Sequence, residues 1–429
     1  MKVLIYGLNY APELTGIGRY SGEMGPWLKD HGVDVRVVTT PPYYPHWKIA
    51  EGYSRYWFSK EVLDGVPVWR CPFYVPSKPT TVKRLIHLGS FAAVSFIALW
   101  RQAFWRPDWV FMVEPASMTI PGGLVFSKVV GAKSWLHIQD FEMEAMLGLS
   151  KELGGNSSGG KTSNEGRQGA AKKGKLLEWA KKTEAFLKRQ FDRTSSISQV
   201  MMAKLGERGV PKEKISFFPN WVDIDFMSPG RPQRDFRKEW KVPEESTFVL
   251  YSGNIGKKQG LEMVLEVASD LQKQAAGAFT FIIVGEGAAK DDLVAEAKER
   301  ELKNIQFHPL QPYEDLPDLL RSADIHLVIQ KKGAADAVLP SKLTSILSVG
   351  GHSVITAEAE TELGRLGRDF PGMVEVIEPE EPTALRDKLL ELREDSNLTE
   401  LNEQARQYAE DYLERDAVLG RVLKEMKEK

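Results

Sequence analysis

One glycine-rich loop in the second half of the chain combines the features of an anion site. The loop 252–260 follows the apolar segment 248–251, contains three glycines together with Lys257 and Lys258, and leads into a segment with helical periodicity. The first N–H groups of a helix have no partner within the helix, and glycines allow an anion to approach them closely. We therefore expect an anionic ligand at this loop.

A second glycine-rich turn lies near the start of the chain. Gly16 and Gly18 follow the apolar segment 2–7 and precede Arg19, at the beginning of another helical pattern. Ligands of open α/β sheets bind beyond the carboxyl ends of the strands. Each half of the chain therefore has a glycine turn where a ligand is expected.

Titratable side chains follow two other predicted strands. His137 and Asp140 end the predicted strand 134–138, and Glu114 follows 108–113. A lone histidine at a strand end is often a structural group, but a nearby carboxylate makes the pair a candidate for proton transfer. His137 with Asp140 is the first candidate pair, and Glu114 is a weaker candidate.

Three aromatic residues, Tyr43, Tyr44 and Trp47, follow the predicted strand 33–38. Their faces suit stacking on a sugar or a lipid, and they suit packing between domains equally well. The sequence leaves both roles open.

Composition is typical of a soluble globular protein. The chain has 429 residues, of which 42% are hydrophobic and 27% charged, and its net charge is -2. Nucleic acid is therefore not expected as a partner. Cys71 is the only cysteine and the seven histidines include no close pair, so we expect neither a disulfide nor a metal site. The N-terminus has no signal-peptide core, which predicts a cytoplasmic protein.

Strand and helix patterns alternate along the chain. The predicted strands lie at 2–7, 33–38, 66–70, 108–113 and 134–138 in the first half, and at 248–251, 280–284, 305–307, 325–329 and 353–356 in the second. The pattern predicts an α/β fold with a doubly wound parallel sheet in each half. We expect the first helix to kink or end at Pro26.

The same pattern predicts the domain organisation. An N-terminal domain is expected at 1–222 and a C-terminal domain at 223–400, because a strand ends near the Pro-Asn turn at 219–220. Residues 401–429 are expected to form a long charged helix. The segment 154–174 has no large apolar side chain and is expected to be a mobile loop.

Two segments of the first domain have features of membrane contacts. The segment 85–106 contains an apolar run, 85–100, which is shorter than the ~20 residues that span a bilayer and has basic and aromatic flanks. It fits an interfacial helix and a buried core helix equally well. A predicted helix at 172–193 is rich in Lys and Arg, including Lys188 and Arg193. A solvated face is its default role, and attraction to anionic lipid is the alternative.

Taken together, the motifs resemble those of family 4 retaining glycosyltransferases, and most of all the colanic-acid fucosyltransferase type. They occur in the family's order from end to end, at 12–20, 39–48, 137–140, 219–223, 252–260 and 340–344. The resemblance implies a GT-B fold, in which two Rossmann-like domains face each other across a cleft. It also implies that the last helix crosses back to the N-terminal domain.

The resemblance implies a role for each candidate residue. A nucleotide sugar would bind the C-terminal domain and an acceptor the N-terminal domain. The catalytic candidates are Lys258, His137 and Asp140. The turn with Gly16, Gly18 and Arg19 would meet the diphosphate or the acceptor, and the acceptor would contact Tyr43, Tyr44 and Trp47. The donor-binding candidates are Gly253, Asn254, Gly256, Lys257, Gly285, Asp336, Lys342, Thr344 and Ser345.

The chain departs from the family at three positions. Asn254 stands where the glycine loop usually has an arginine, and the usual glutamate pair falls at Ala337 and Ser345. We expect Lys342 to supply the missing positive charge. The neighbours Asp336 and Thr344, together with Ser345, are expected to bond the hydroxyls of the sugar or the ribose.

These features predict a retaining, metal-independent glycosyltransferase without a bound cofactor. The expected donor is a nucleotide sugar, with a GDP-sugar favoured over a UDP-sugar and fucose suggested by subfamily likeness. The expected acceptor is a lipid-linked saccharide of surface polysaccharide biosynthesis, at the inner face of the plasma membrane. A nucleotide-sugar epimerase and a non-catalytic nucleotide-sugar-binding protein stay open as alternatives. A nicotinamide-dependent oxidoreductase does not fit, because no G-x-G-x-x-G follows Gly7.

Overall fold

The computed structural model describes residues 1–13, 16–44, 46–77, 80–115, 117–140, 182–230, 233–333 and 339–428. The chain forms two compact units, Met1–Phe218 with Leu419–Lys429, and Pro219–Val418. The sequence pattern places the boundary slightly later, after residue 222. The predicted mobile loop 154–174 lies outside the described residues.

The first unit is built on one large sheet. Its strands are β1 (Lys2–Gly7), β2 (Asp34–Thr39), β3 (Ser59–Leu63), β4 (Val66–Arg70), β5 (Trp109–Glu114), β6 (Lys133–Ile138), β7 (Arg193–Ser196) and β8 (Ile215–Phe217). They are arranged in the order β3-β4-β2-β1-β5-β6-β7-β8, and all neighbours are parallel except β3 and β4. All six residues of β5 are buried, as expected for a parallel strand covered on both faces.

Helices cover this sheet. They are α1 (Gly16–Asp30), α2 (Thr81–Arg101), α3 (Ile120–Val130) and α4 (Gln199–Glu207), with a further helical segment at 182–188. The predicted end of the helix at Pro26 is wrong, because α1 continues to Asp30, and the alternative of a kink stays a prediction. A proline inside a helix costs about 3 kcal/mol, whereas burying one large apolar side chain contributes roughly 1.5–3 kcal/mol. Trp27 and Leu28 are both buried, and together they offset the cost of Pro26.

The second unit has the strand order of a Rossmann fold. Its strands are β9 (Thr247–Ser252), β10 (Phe279–Val284), β11 (Ile305–His308), β12 (Ile325–Val328), β13 (His352–Thr356) and β14 (Glu375–Ile377). They pair in parallel in the order β11-β10-β9-β12-β13-β14. Its helices are α5 (Phe236–Glu239), α6 (Glu262–Gln274), α7 (Lys290–Glu299), α8 (Leu316–Ser322), α9 (Ser341–Ser348), α10 (Glu362–Asp369), α11 (Pro382–Glu394) and α12 (Glu403–Tyr408).

The predicted α/β fold with a parallel sheet in each half is confirmed. Each of the ten predicted strands is present, with ends that differ by at most one residue. Among the described strands, β3, β7 and β14 have no predicted counterpart, whereas β8 ends at Phe217, close to the strand end that the sequence places before the turn at 219–220.

The C-terminal segment is not the single helix that its charge pattern predicts. After α12 the chain forms one π-helical turn, Ala409–Leu413, and Glu414 is extended before α13 (Arg415–Lys427) begins. The extended residue pairs with Val222 in a parallel bridge. Residues Leu419–Lys429 then belong to the first unit, where the indole of Trp109 donates a hydrogen bond to the carbonyl of Met426 (3.1 Å).

The predicted basic helix 172–193 requires correction. Residues 172–181 lie outside the described part of the chain, the helical segment ends at 188, and Arg193 is the first residue of β7. Lys188 is not on a solvated face, since only 1% of its side chain is exposed, while the apolar side chain of Phe186 in the same helical segment is exposed. The charge pattern alone misassigned Lys188 because one of its carboxylate partners, Glu114, lies 74 positions away in the chain.

The helix α2 has two different apolar faces. Its inner face packs on the sheet through buried residues such as Phe91 and Leu99, and Ser95 shares a hydrogen bond with Tyr6 (2.7 Å between hydroxyl oxygens). By length and hydropathy alone, Val82–Phe104 could cross a membrane, with a mean hydropathy of 1.5 and 33% of the stretch buried. The inner contacts identify α2 instead as a surface helix of the first unit with one apolar face exposed.

Candidate functional site

The first unit has a pocket of about 330 Å³ at the carboxyl edge of its sheet, where the strand order changes direction between β1 and β5. Open α/β sheets bind ligands at this point. The pocket brings together five residues that the sequence predicts as ligand contacts: Gly16, Tyr43, Tyr44, Trp47 and Asp140. Arg84 and His87 of α2 also line it, although no motif in the sequence marks them.

A buried glutamate, Glu13, holds the aromatic side of the pocket in place. One carboxylate oxygen accepts hydrogen bonds from the backbone N–H groups of Tyr43 (2.9 Å) and Tyr44 (3.0 Å), and the other accepts from Nδ2 of Asn9 (2.8 Å). Burial raises the pKa of Glu13, and these hydrogen bonds oppose the shift. A Cβ at residue 18 would lie 2.6 Å from the Cβ of Glu13, so the close approach of α1 to Glu13 requires a glycine at this position.

The other members of the N-terminal glycine turn have different environments. Gly16 has a φ of +58°, in the region that favours glycine, and the position of an added Cβ is 3.9 Å from the ring of Tyr44. Arg19 directs its Nε to Glu23, one turn further along α1, at 2.8 Å. Gly16 therefore contributes to the pocket, while the charge of Arg19 is paired along the helix.

His87 has a defined tautomer in this pocket. Its Nδ1–H donates to the carbonyl of Tyr74 (2.6 Å), which leaves Nε2 to accept from the hydroxyl of Tyr43 (3.3 Å). Burial lowers the pKa of His87, the Tyr74 carbonyl opposes that shift, and the charge of Arg84 adds to it. The imidazole also lies 5.3 Å from the ring of Trp47, so it packs among the aromatic residues as a neutral group.

His137 lies in the core of the sheet, away from the side chains that line the pocket. Its ring is 4.5 Å from that of Phe218, and its Nδ1 shares a hydrogen bond with the hydroxyl of Ser195 (3.0 Å). Burial lowers the pKa of His137 to about 3. The structure therefore separates the predicted pair: Asp140 lines the pocket, whereas His137 is a buried neutral group with a structural environment.

Glu114, at the end of β5, belongs to a buried ion cluster. Lys188 Nζ lies 3.0 Å from Glu114 Oε2 and 2.7 Å from Glu184 Oε1, and the hydroxyl of Ser117 donates to Glu114 Oε1 (3.0 Å). Burial raises the pKa of Glu114, and the charge of Lys188 opposes the shift. Lys188 therefore compensates the charge of the carboxylate, although Glu114 Oε2 is buried without a hydrogen-bond partner among the described residues, and the cluster gives Glu114 a structural role beside the pocket.

In the second unit, the glycine loop after β9 packs closely against the end of β10. A Cβ on Gly285 would collide with the carbonyl oxygen of Gly253, and Gly253 itself has a φ of +148°. The N–H of Gly253 donates to Val284 O (2.9 Å), and the N–H of Gly256 donates to Gln259 Oε1 (3.1 Å). These two N–H groups already have acceptors, one in β10 and one in the loop. The binding of the expected anion would therefore depend more on lysine side chains than the sequence predicts.

Lys342, at the start of α9, places its ammonium close to the turn at Gly253. Its Nζ lies 3.5 Å from the position that a Cβ on Gly253 would occupy, and 4.1 Å from the ring centroid of Tyr251. Burial lowers the pKa of Lys342 to about 8. The compensation of the arginine replaced by Asn254 through Lys342 stays a prediction.

Lys257 and Lys258 have exposed side chains. The carbonyl of Lys258 accepts a hydrogen bond from the N–H of Lys331 (3.0 Å), which fixes the backbone of the loop against the segment after β12. Asn254 is also exposed, and its carbonyl accepts from the hydroxyl of Tyr251 (2.6 Å). These side chains can reach a ligand from the solvent side of the loop, and the role of Lys258 stays a prediction.

Ser345, at one position of the family's glutamate pair, and its neighbour Thr344 make local contacts. The hydroxyls of Thr344 and Ser345 donate to the carbonyl of Ser341, at 2.8 and 3.3 Å. Both hydroxyls are therefore engaged with the first turn of α9. Asp336 and Ala337 lie outside the described residues. No group of three or more potential metal ligands lies together in the ranges that the structure describes.

Two family descriptions match the chain, one in each half. Residues 15–221 match the Glycosyl transferase 4-like domain, and residues 232–412 match Glycosyl transferases group 1. The Escherichia coli K12 protein WcaI, which carries an assignment as a colanic acid biosynthesis glycosyl transferase, is 46% identical over all of both chains.

Solved structures share the fold at low sequence identity. Sucrose-phosphate synthase from Thermosynechococcus elongatus aligns with a TM-score of 0.64 and 14% identity, covering 99% of this chain and 98% of the other. HepE from Anabaena, in complex with UDP-glucose, aligns with a TM-score of 0.61 and 14% identity over all of both chains. These likenesses identify the GT-B fold.

Proposed function

The chain belongs to the glycosyltransferases of the group 1 and 4-like families, and from that membership we propose that it transfers a sugar from a nucleotide sugar to a lipid-linked acceptor in surface polysaccharide biosynthesis. The relative WcaI, assigned to colanic acid biosynthesis, supports the pathway class. Among the donors, GDP-fucose is the first to test, because of the subfamily likeness of the motifs.

The observation that carries the proposal is the position of Lys342 at the Gly253 turn. Transfer breaks the bond between the sugar and the diphosphate, so negative charge develops on the departing diphosphate and positive charge on the sugar. A partly buried ammonium 3.5 Å from the position of a Gly253 Cβ would stabilise that negative charge strongly, because solvent screens it little. We propose that this cation, with Lys258, makes a divalent metal unnecessary.

We propose that the pocket of the first unit binds the acceptor. Tyr43, Tyr44 and Trp47 present aromatic faces for a sugar ring, and Asp140 offers a carboxylate that accepts from sugar hydroxyls. The stereochemical outcome that we propose is retention, in which the departing phosphate and the acceptor hydroxyl lie on the same face of the sugar. His137 has no part in this mechanism because it is buried in the core.

The exposed face of α2 supports a lipid-linked acceptor. Leu85, Ile86, Phe96 and Ile97 are exposed there, Phe104 is exposed in the short helical turn after α2, and Val125 and Val129 of α3 are exposed too. Trp100 and Phe126 join the two helices, with ring centroids 5.7 Å apart. We propose that this surface, the α2–α3 apolar surface, rests on the inner face of the plasma membrane.

Basic side chains around the α2–α3 apolar surface fit this orientation. Lys83, Arg101, Arg106 and Lys128 are exposed, and each cation near an anionic leaflet contributes about 1 kcal/mol of attraction. Trp105, by contrast, is buried and donates to Asp34 (2.9 Å), so it is not an interfacial anchor.

The proposal is tested by incubating the purified full chain with GDP-fucose or UDP-glucose, with and without a lipid-linked saccharide extract. A transferase releases nucleoside diphosphate only when the acceptor is present, and the labelled sugar appears in the lipid fraction. An epimerase would interconvert donors without an acceptor, and a binding protein would return the donor unchanged. Lys342→Met should lower the acceptor-dependent rate of nucleoside diphosphate release by at least about tenfold.

A further inference from the structure

Arg84 is a cation in the pocket of the first unit that has no role in the sugar transfer described above. It lines the pocket, its guanidinium carbon lies 5.5 Å from the ring centroid of Trp47, and its Nε is buried without a hydrogen-bond partner among the described residues. A buried donor without a partner costs about 1–3 kcal/mol, and more when it is charged. A ligand that accepts from Arg84 would remove this cost.

The position of Arg84 on α2 relates the pocket to the exposed apolar face. Arg84, His87 and Leu88 line the pocket and follow the helical spacing i, i+3, i+4. Leu85 and Ile86, the residues that follow Arg84, are exposed on the neighbouring face. A group bound by Arg84 is therefore next to the surface on which a hydrocarbon chain would lie.

Two side chains of opposite charge in the pocket, Arg84 and Asp140, suit different parts of a ligand. A guanidinium is planar and binds phosphate oxygens in pairs, and the position of Arg84 over the ring of Trp47 helps to orient it. The carboxylate of Asp140 repels phosphate and accepts from sugar hydroxyls instead. The two charged groups of the pocket thus suit a ligand that carries both a phosphate and a sugar.

We propose that Arg84 binds the phosphate or diphosphate that joins the acceptor sugar to a long-chain lipid, and that the lipid chain leaves the pocket over Leu85 and Ile86. The proposal rests on the proposed function for the sugar that the lipid carries. In this proposal the inner side of α2 binds the head group, and its outer side contacts the bilayer.

The matched pair of variants is Arg84→Gln and Lys83→Gln. Both remove one positive charge from the first turn of α2, but Lys83 is exposed and does not line the pocket. Far-UV circular dichroism and the midpoint of urea unfolding should be the same for both variants and the original protein.

Binding is measured with phosphatidylcholine vesicles that contain either a polyprenyl phosphate or phosphatidylglycerol at the same surface charge. We expect tighter binding to the polyprenyl phosphate vesicles, and we expect Arg84→Gln to weaken that binding by about tenfold, or ~1.4 kcal/mol. Lys83→Gln should weaken binding to both vesicle types equally and slightly, because it changes only general attraction to the surface. Arg84→Lys should retain part of the preference, since it keeps the charge but not the paired hydrogen bonds.

Equal binding of Arg84→Gln and Lys83→Gln to the polyprenyl phosphate vesicles would overturn the inference. So would a loss of nucleoside diphosphate binding in Arg84→Gln with lipid binding intact, because Arg84 would then serve the donor. Inorganic pyrophosphate in solution separates the sources of the phosphate: if it competes fully at low concentration, the lipid chain contributes nothing and the inference fails.

Failure of the proposed function gives a different result. If the full chain binds no nucleotide sugar in a thermal-shift panel, the transfer proposal fails, whatever Arg84 does. A lipid preference that depends on Arg84 would then still support the phosphate subsite. If transfer to a lipid acceptor proceeds equally in Arg84→Gln and the original protein, the transfer proposal stands and the subsite falls.

Discussion

Lys342 holds its ammonium 4.1 Å from the ring centroid of Tyr251, and the hydroxyl of Tyr251 donates to the carbonyl of Asn254 (2.6 Å). One tyrosine therefore orients the lysine and fixes the residue that stands where the family's arginine is expected. The ammonium of Lys342, at the start of α9, therefore lies beside the Gly253 turn and adds to Lys257 and Lys258 of the loop itself.

The first prediction concerns the pH dependence of donor binding. Burial lowers the pKa of Lys342 to about 8. The charged form is the one that attracts a diphosphate, so affinity for a nucleoside diphosphate should be highest below that pKa and should fall as the pH rises through about 8. Isothermal titration calorimetry with GDP and UDP, at pH values from about one unit below to about one unit above this pKa, measures this fall in affinity, which is called the step below.

The control for this step is Lys342→Arg, whose guanidinium stays charged throughout the range. It should bind the diphosphate without the fall above the pKa of Lys342. Lys257→Gln should retain the step, because Lys257 is exposed on the loop. A step that persists in Lys342→Arg would assign the titration to another group.

The second prediction concerns Lys258. Its exposed side chain stands on the glycine loop, so Lys258→Ala should cut acceptor-dependent transfer by about tenfold, or ~1.4 kcal/mol in the barrier, without changing the fold. Lys332→Ala removes a similarly exposed lysine from a neighbouring turn and should leave the rate unchanged. Unaltered turnover in Lys258→Ala would remove this lysine from the mechanism.

Sequence periodicity predicted the sheets well because burial of consecutive apolar residues is a local signal, as in β5 and β10, where every residue is buried. It failed for side chains whose environment depends on distant partners. Lys188 looks like a solvated charge until Glu114, 74 positions away, is found beside it. Likewise, Arg84 stands in the sequence only as part of the basic flank of the apolar run 85–100, and no pattern marks His87, because the pocket that they line is formed by several segments of the first unit.

The third prediction tests Glu13 as the residue that positions the aromatic wall. Glu13→Ala leaves the N–H groups of Tyr43 and Tyr44 without their acceptor, and each unsatisfied group costs about 1–3 kcal/mol when buried. We expect a lower midpoint of urea unfolding and weaker acceptor binding. Glu13→Gln keeps an oxygen that accepts from these two N–H groups, so its losses of stability and of acceptor binding should be clearly smaller. Equal losses in the two variants would show that charge matters more than the acceptor geometry.

The fourth prediction tests the α2–α3 apolar surface. Replacing Ile86 and Ile97 with serine removes apolar area that is exposed in the free protein, so stability should hold while sedimentation with anionic vesicles decreases. Val294→Ser provides the control, because Val294 is an exposed apolar residue on α7 in the other unit. Vesicle binding that is insensitive to the double variant would contradict a membrane contact through α2.

The last prediction concerns Lys188→Met, which leaves Glu114 buried without its main partner. Breaking a buried ion pair from one side costs about 3–5 kcal/mol, because an uncompensated charge stays in the core. Burial already raises the pKa of Glu114, and without Lys188 nothing of comparable strength opposes that shift. A carboxyl whose folded pKa lies above its unfolded value contributes stability below the unfolded value and loses it as the pH rises through the folded pKa. The deficit of Lys188→Met relative to the original protein should therefore be smallest in acid and grow toward neutral pH.

Urea unfolding at a series of pH values measures that deficit. Lys212→Met, at an exposed position, should show no deficit at any pH, and adding Glu114→Gln to Lys188→Met should recover part of the loss and flatten its pH dependence. A deficit that is the same at every pH would mean that the introduced thioether side chain packs badly and that the charge of Glu114 is not the cause. Because Glu114 ends β5 beside the pocket that we propose for the acceptor, the same variants should also reveal whether the ion cluster keeps that edge of the sheet in place.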